Sequence, residues 1–180
     1  MSVIEPEIVS IALLTVATIF AGSAAIKFAA LEDFGQAVEA YRVVPESTTP
    51  VVAWIVPVLE LGAAAGLLYA GTRSAAAMIL LVLLIVFTLA IGLNLARGRR
   101  DIDCGCFGPM LRQRLSSWLI VRNFVLAGGV MVAALPLETS DMNALAYSTI
   151  AFASMAMVLL YITGNVLLAN SAANEELRDA

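Results

Sequence analysis

The sequence predicts an all-α integral membrane protein, a bundle of about five transmembrane helices with a short amphipathic surface helix after the first span. Two observations predict it. Of 180 residues, 61% are hydrophobic and only 13% are charged, whereas a soluble domain is nearer half apolar and a quarter charged. The excess is gathered into long unbroken runs, the mark of helices that cross a bilayer. Alternating ten-residue strands, the mark of a membrane β-barrel, are not seen.

The first run is Ile8–Ile26. Glu5 and Glu7 precede it, where a secretory signal would carry positive charge, so it reads as a retained helix. The next segment, Leu31–Val44, places Phe34, Ala37, Val38 and Tyr41 at helical spacing, with Glu32, Asp33, Glu39 and Arg42 elsewhere. That pattern predicts a short amphipathic helix on the membrane surface, ended by Pro45 and Pro50. Further spans are expected at Val51–Ala70, Ser74–Ala96, Trp118–Leu137 and Ala144–Ala169. Each is about 20 residues or longer, enough to cross ~30 Å of hydrocarbon. The third and fourth spans are joined by Arg97–Ser117, the most charged stretch, which holds both cysteines. The tail Asn174–Ala180 is polar and expected to fray. No internal repeat or linker divides residues 1–180, so a single polytopic domain is expected.

Orientation follows from lysine and arginine between spans. With the N-terminus outside, Lys27, Arg42, Arg97, Arg99, Arg100, Arg112, Arg114 and Arg178 fall in the cytoplasm and Arg73 alone falls outside. The bias predicts a periplasmic N-terminus in a bacterial inner membrane, with the cysteine loop and C-terminus cytoplasmic.

Ionisable groups inside a bilayer are expensive and usually pair or line a functional cavity. Glu60, Arg122 and Asn123 are the intramembrane candidates. Glu60 is about nine residues into its span and Arg122 about four, from the same face, an axial offset of roughly 7–8 Å that an arginine can bridge. A Glu60–Arg122 pair is therefore expected, either as a clasp between helices or as a functional group. Lys27, at the end of the first span, reads as snorkelling to the interface. Pro57 should loosen the helix before Glu60, and Gly62 and Gly66 point to close helix contact.

The chemistry-bearing loop reads Asp101-Ile102-Asp103-Cys104-Gly105-Cys106-Phe107-Gly108-Pro109. Its glycines and proline specify a turn. A disulfide between Cys104 and Cys106 would close a very small ring, strained and relatively oxidising. Nearby arginines favour thiolate, while Asp101 and Asp103 oppose it. Three readings of the pair compete: a reactive dithiol, a soft-metal site completed by a second chain, and structural cysteines. The chain has no histidine, which excludes histidine general-base catalysis and histidine-ligated haem or zinc. No basic patch with interleaved aromatics is present, so nucleic acid is not an expected partner.

These residues resemble the MauE family of methylamine-utilisation proteins, within the MauE/DoxX-like group of redox-associated membrane proteins. The likeness lies in Ala21-Gly22-Ser23-Ala24-Ala25-Ile26-Lys27, in Phe34 followed by Ala40-Tyr41-Arg42-Val43-Val44-Pro45, and in Pro57-Val58-Leu59-Glu60-Leu61-Gly62. It also lies in Cys104-Gly105-Cys106-Phe107-Gly108 ahead of a span carrying Arg122-Asn123, and it covers about residues 10–136. The resemblance implies a role in maturing the β (small) subunit of methylamine dehydrogenase, a periplasmic, disulfide-rich protein with a tryptophan-derived quinone. It further implies a thioredoxin-like partner of the MauD type.

A cytoplasmic cysteine loop and a periplasmic client stand on opposite sides of the membrane. The expectation is therefore a thiol–disulfide accessory role, by relay or support, rather than a stand-alone enzyme. A relay across the bilayer would need a carrier such as a membrane quinone, or the partner's own thiols. The alternatives are a scaffold or export factor for the same subunit without redox chemistry, or a general thiol-redox or metal-delivery membrane protein of the wider group.

Overall fold

A computed structural model describes residues 5–99, 102, 115–137 and 143–179. The described residues form six α-helices and one short 3-10 turn, with no strand among them. The helices are α1 (Pro6–Ala29), α2 (Leu31–Tyr41), α3 (Thr49–Leu67), α4 (Arg73–Ala96), α5 (Ser117–Ala133) and α6 (Ala144–Asp179). α1, α4, the apolar part of α6 to Asn170, and α3 with the 3-10 turn Glu46–Thr48 before it are each long and apolar enough to cross a membrane. α5, at 17 residues, is a shorter apolar helix. It spans roughly 25 Å at 1.5 Å per residue, near the short limit for a crossing. It stops at Ala133 rather than continuing to Leu137. Pro136 accounts for that, because the residue before a proline is driven out of the helical region.

The predicted surface helix is α2. Phe34, Ala37 and Tyr41 form its buried face, at the spacing expected of one side of a helix. Its end differs from the expectation. The chain turns at Arg42, in the left-handed region at φ 49°, three residues before Pro45. Pro50 ends nothing; it occupies the first turn of α3, where its missing N–H has no helical partner to lose. Pro57 also leaves α3 unbroken from Thr49 to Leu67. The expected frayed tail is helical too, since α6 runs to Asp179.

α1 is the central element, packed against α3, α5 and α6, while α4 packs on α3 and α5 and α2 lies on α3. The main core gathers Val16, Phe20, Leu67, Leu80, Leu84 and Val130 with alanines between them. Two glycines set the closest approaches. A Cβ on Gly66 would stand 3.1 Å from Ala76 Cβ, and one on Gly129 would stand 3.2 Å from Val16 Cγ2. Gly62, singled out together with Gly66 in the sequence, has nothing within 4 Å.

The distribution of polarity is that of a membrane protein. Trp54, Ile85, Leu89, Phe124 and Phe152 point outward, with Phe152 77% exposed. Lys27, Glu60, Asn94, Arg122, Asn123 and Asn165 are buried. Water would penalise that outer surface heavily, whereas hydrocarbon does not. The chain is a multi-pass membrane protein.

Candidate functional site: a buried polar core between the spans

Buried residues of α1 recur on one stripe: Val9, Leu13, Val16, Ala17, Phe20, Ala24 and Lys27. Lys27 stands seven residues after Phe20 and three after Ala24, so the helix turns it inward with them. It does not snorkel. Lys27 is 2% exposed, and its ammonium donates to Glu60 Oε1 and Oε2 at 2.8 Å each and to Ser23 Oγ at 2.6 Å. The Phe34 and Phe87 ring centroids lie 5.4 and 5.7 Å from the same nitrogen, within range for cation–π attraction. Lys27, on the neighbouring helix, is therefore a counter-ion of Glu60. The sequence held the signal in the stripe of α1, but the habit of lysines at span ends masked it.

Arg122 and Asn123 begin a second group. Arg122 Nη1 donates to Asn165 Oδ1 at 3.2 Å, and Nη2 lies 3.5 Å from Asn123 Oδ1. Asn123 Nδ2 donates to Thr88 Oγ1 at 3.1 Å, and the Thr88 hydroxyl donates to Leu84 O at 2.6 Å. Asn165 Nδ2 donates to Tyr161 O at 2.6 Å. This chain of bonds ties α4, α5 and α6 together. Asn165, on α6, completes it.

The two groups meet at one cavity of about 40 Å³, lined by Ser23, Lys27, Glu60, Arg122, Asn123 and Tyr161 among others. One water needs roughly 10–15 Å³ measured this way, so the cavity has room for two or three, with polar partners on several sides. All three intramembrane candidates, Glu60, Arg122 and Asn123, thus border one small space between α1, α3, α4, α5 and α6. A space of this kind, lined by paired charges and roomy enough for water, can hold charge and pass protons inside a bilayer.

Cys104 and Cys106 lie outside the described residues, but the two ends of their loop are defined. Leu115 N–H donates to Ile102 O at 3.1 Å, closing the segment between them at its base. Ile102 and Leu115 are buried in a cluster with Tyr41, Ile91 and Leu119. Polar bonds lock the same corner. Asn94 Nδ2 donates to Tyr41 O at 3.1 Å, and Arg99 donates to Ala40 O at 3.0 Å and to Asn94 Oδ1 at 3.1 Å. The carbonyls left without helical partners at the end of α2 are thereby satisfied by the end of α4 and the chain just beyond it. The base of the cysteine loop is anchored where α2, α4 and α5 converge.

The sequence from residue 5 to 136 matches the family model described as methylamine utilisation protein MauE. This chain belongs to the MauE family. Three relatives named methylamine utilization protein MauE illustrate the likeness. That of Paracoccus denitrificans is 33% identical over 94% of this chain and 92% of its own length. That of Paracoccus versutus is 36% identical over 84% and 82% respectively. That of Methylorubrum extorquens is 34% identical over 91% and 88%. No solved structure matches the chain. The family match spans α1 to α5, and so includes the Lys27–Glu60 pair, Arg122–Asn123 and the cysteine loop of this MauE-family protein.

Proposed function

We propose that this protein supports maturation of the β (small) subunit of methylamine dehydrogenase. It does so by thiol–disulfide chemistry at Cys104 and Cys106, with a thioredoxin-like partner of the MauD type. Membership of a methylamine-utilisation family supports the pathway. The observation that carries the thiol reading is the anchored base of the loop. The Leu115–Ile102 bond and the buried cluster around it hold both ends of a segment containing two cysteines one residue apart. An exchange centre is served by such a mount, because the resolving thiol must reach the attacking cysteine's sulfur in order to release the partner. In one turnover the attacking thiolate opens the partner's disulfide, expelling one partner thiolate and forming a mixed disulfide with the other sulfur. The second thiol then displaces the partner's sulfur as thiolate, leaving Cys104–Cys106 oxidised and the partner reduced, or the reverse.

Orientation by arginine bias places the loop in the cytoplasm, so the action on a periplasmic client is indirect, through the partner. The test is accumulation of the dehydrogenase β subunit in cells carrying Cys104→Ser together with Cys106→Ser. Loss of the subunit at normal membrane abundance of the variant is expected. Wild-type accumulation would remove the redox role and leave a scaffold or export factor for the same subunit.

A further inference from the structure

α2 and the start of α3 enclose an open groove of about 430 Å³, at the end of the bundle where α1 finishes. The two helices come close at its floor, where a Cβ on Gly35 would lie 3.9 Å from Ala53 Cβ. Glu32, Gln36 and Glu39 form one wall, a single stripe of α2. Glu46, from the 3-10 turn, lines the other side. The three carboxylates are exposed, and none has an ion-pair partner among the described residues. No basic residue lines the groove. Nearby cations are engaged elsewhere, Lys27 with Glu60 and Arg99 with Asn94 and Ala40 O. Thr49 supplies a second, independent observation. It lines the groove and is only 6% exposed, yet its hydroxyl makes no hydrogen bond. A buried hydroxyl in that state costs free energy until a ligand brings it a polar partner.

We propose that this groove docks the basic segment that flanks a membrane span of a partner protein. Charge complementarity selects a cationic occupant, since three carboxylates face the groove and no cation does. Depth selects one carried by a membrane span. Trp54 lines the groove five residues beyond Thr49 and is 58% exposed, so the groove descends roughly 7–8 Å along α3 from its charged rim toward lipid. Lysine and arginine gather beside spans on the cytoplasmic side, where the arginine bias of this chain puts the groove. The indole also offers a face for a cation at the lower end. Spacing adds a constraint. Glu32 and Glu39 are about 10 Å apart along α2, the reach between basic residues three apart in an extended segment. An anionic lipid headgroup would be repelled, and no acidic cluster able to hold a metal ion is found among the described residues.

The proposal does not depend on the thiol reading, but it gives that reading a place for its partner. The groove's wall is α2, and the far end of α2 is bonded through Ala40 O and Tyr41 O to Arg99 and Asn94. A protein held in the groove therefore stands beside the base of the cysteine segment.

The test uses the full chain in phosphatidylcholine vesicles, with a donor dye on its C-terminal tail. The probe is an acceptor-labelled peptide, a leucine–alanine span of about 20 residues ending in Lys-Ser-Ser-Lys. A second probe ends in Glu-Ser-Ser-Glu. Saturable energy transfer is expected with the lysine probe alone, and it should fade as salt shortens the range of charge attraction. Glu32→Gln, Glu39→Gln and Glu46→Gln together should weaken binding about tenfold, each screened pair contributing a factor of a few. The positions are exposed, so folding is not at stake. Glu5→Gln with Glu7→Gln, at the opposite end of α1, should leave binding unchanged. Lysine at all three groove positions should transfer the preference to the glutamate probe. No saturable binding of the lysine probe, or equal binding by the triple glutamine variant, overturns the proposal. So does displacement of the probe by micromolar calcium, which would make the groove a cation site. Loss of a wild-type dimer in the triple variant would make the occupant a second copy of this chain, and also overturns it.

Discussion

Lys27 and Glu60 form an ion pair in which both partners are about 2% exposed, and such a pair is stabilising chiefly relative to its own disruption. Removing one partner leaves the other charge buried and short of its counter-ion, at a cost of up to ~3–5 kcal/mol. Lys27→Met and Glu60→Leu should each lower membrane abundance and the midpoint of thermal unfolding in detergent. The double variant should recover much of the loss, because two apolar side chains can replace a buried pair at little cost. Single variants that accumulate and melt like the wild type would show that the pair is not part of the fold's support. If they accumulate normally yet β-subunit maturation fails, the pair has a functional role instead. Glu60, Arg122 and Asn123 were legible in the sequence as expensive residues at membrane depth. The pairing of Glu60 with Lys27 was not, because a span-end lysine can turn outward or inward. The choice is made by the stripe it continues and by the helix opposite.

At the level of elements, adjacent glycines on α5 make opposite predictions. A Cβ at Gly129 would crowd Val16 of α1 at 3.2 Å, while one at Gly128 meets nothing within 4 Å. Gly129→Leu should push α1 and α5 apart, costing ~1–3 kcal/mol by overpacking. Gly128→Ala should be neutral or slightly stabilising, since alanine holds a helix better than glycine by up to ~1 kcal/mol. Unfolding midpoints of the two purified variants compare them directly. Equal midpoints would mean that the α1–α5 contact is looser than the structure places it. Helix positions were legible from apolar runs, and the face of α2 from its spacing. The ends were less so. Pro50 opens α3 and Arg42 ends α2 in a left-handed turn, because a proline is as well suited to a first helical turn as to a breaker.

Across the whole molecule, orientation decides which compartment the cysteines meet. A reporter active only in the periplasm, fused after Arg114, should be silent, since the arginines flanking the loop resist translocation. Strong activity would reverse the topology and make direct exchange with a periplasmic client the better mechanism. Arg73, the lone basic residue between spans on the other side, is engaged structurally. Its guanidinium donates to Leu67 O at 3.1 Å and reaches Leu135 O at 3.5 Å, joining the ends of α3 and α5.

The membrane character, the helices and the pairing of cysteines in one polar loop follow from sequence alone, because hydropathy and spacing are properties of neighbours along the chain. The motif residues that mark the MauE family are equally local. Which buried charge faces which, and that Glu60, Arg122 and Asn123 share a single cavity, depended on the rotation and crossing of helices far apart in the chain. An apolar pocket of about 130 Å³ between α2, α3 and α4 has the same origin. Helix rotation is set by packing, through close approaches such as Gly129 on Val16 and bonds such as Asn94 to Tyr41 O. No window of sequence contains both halves of those contacts.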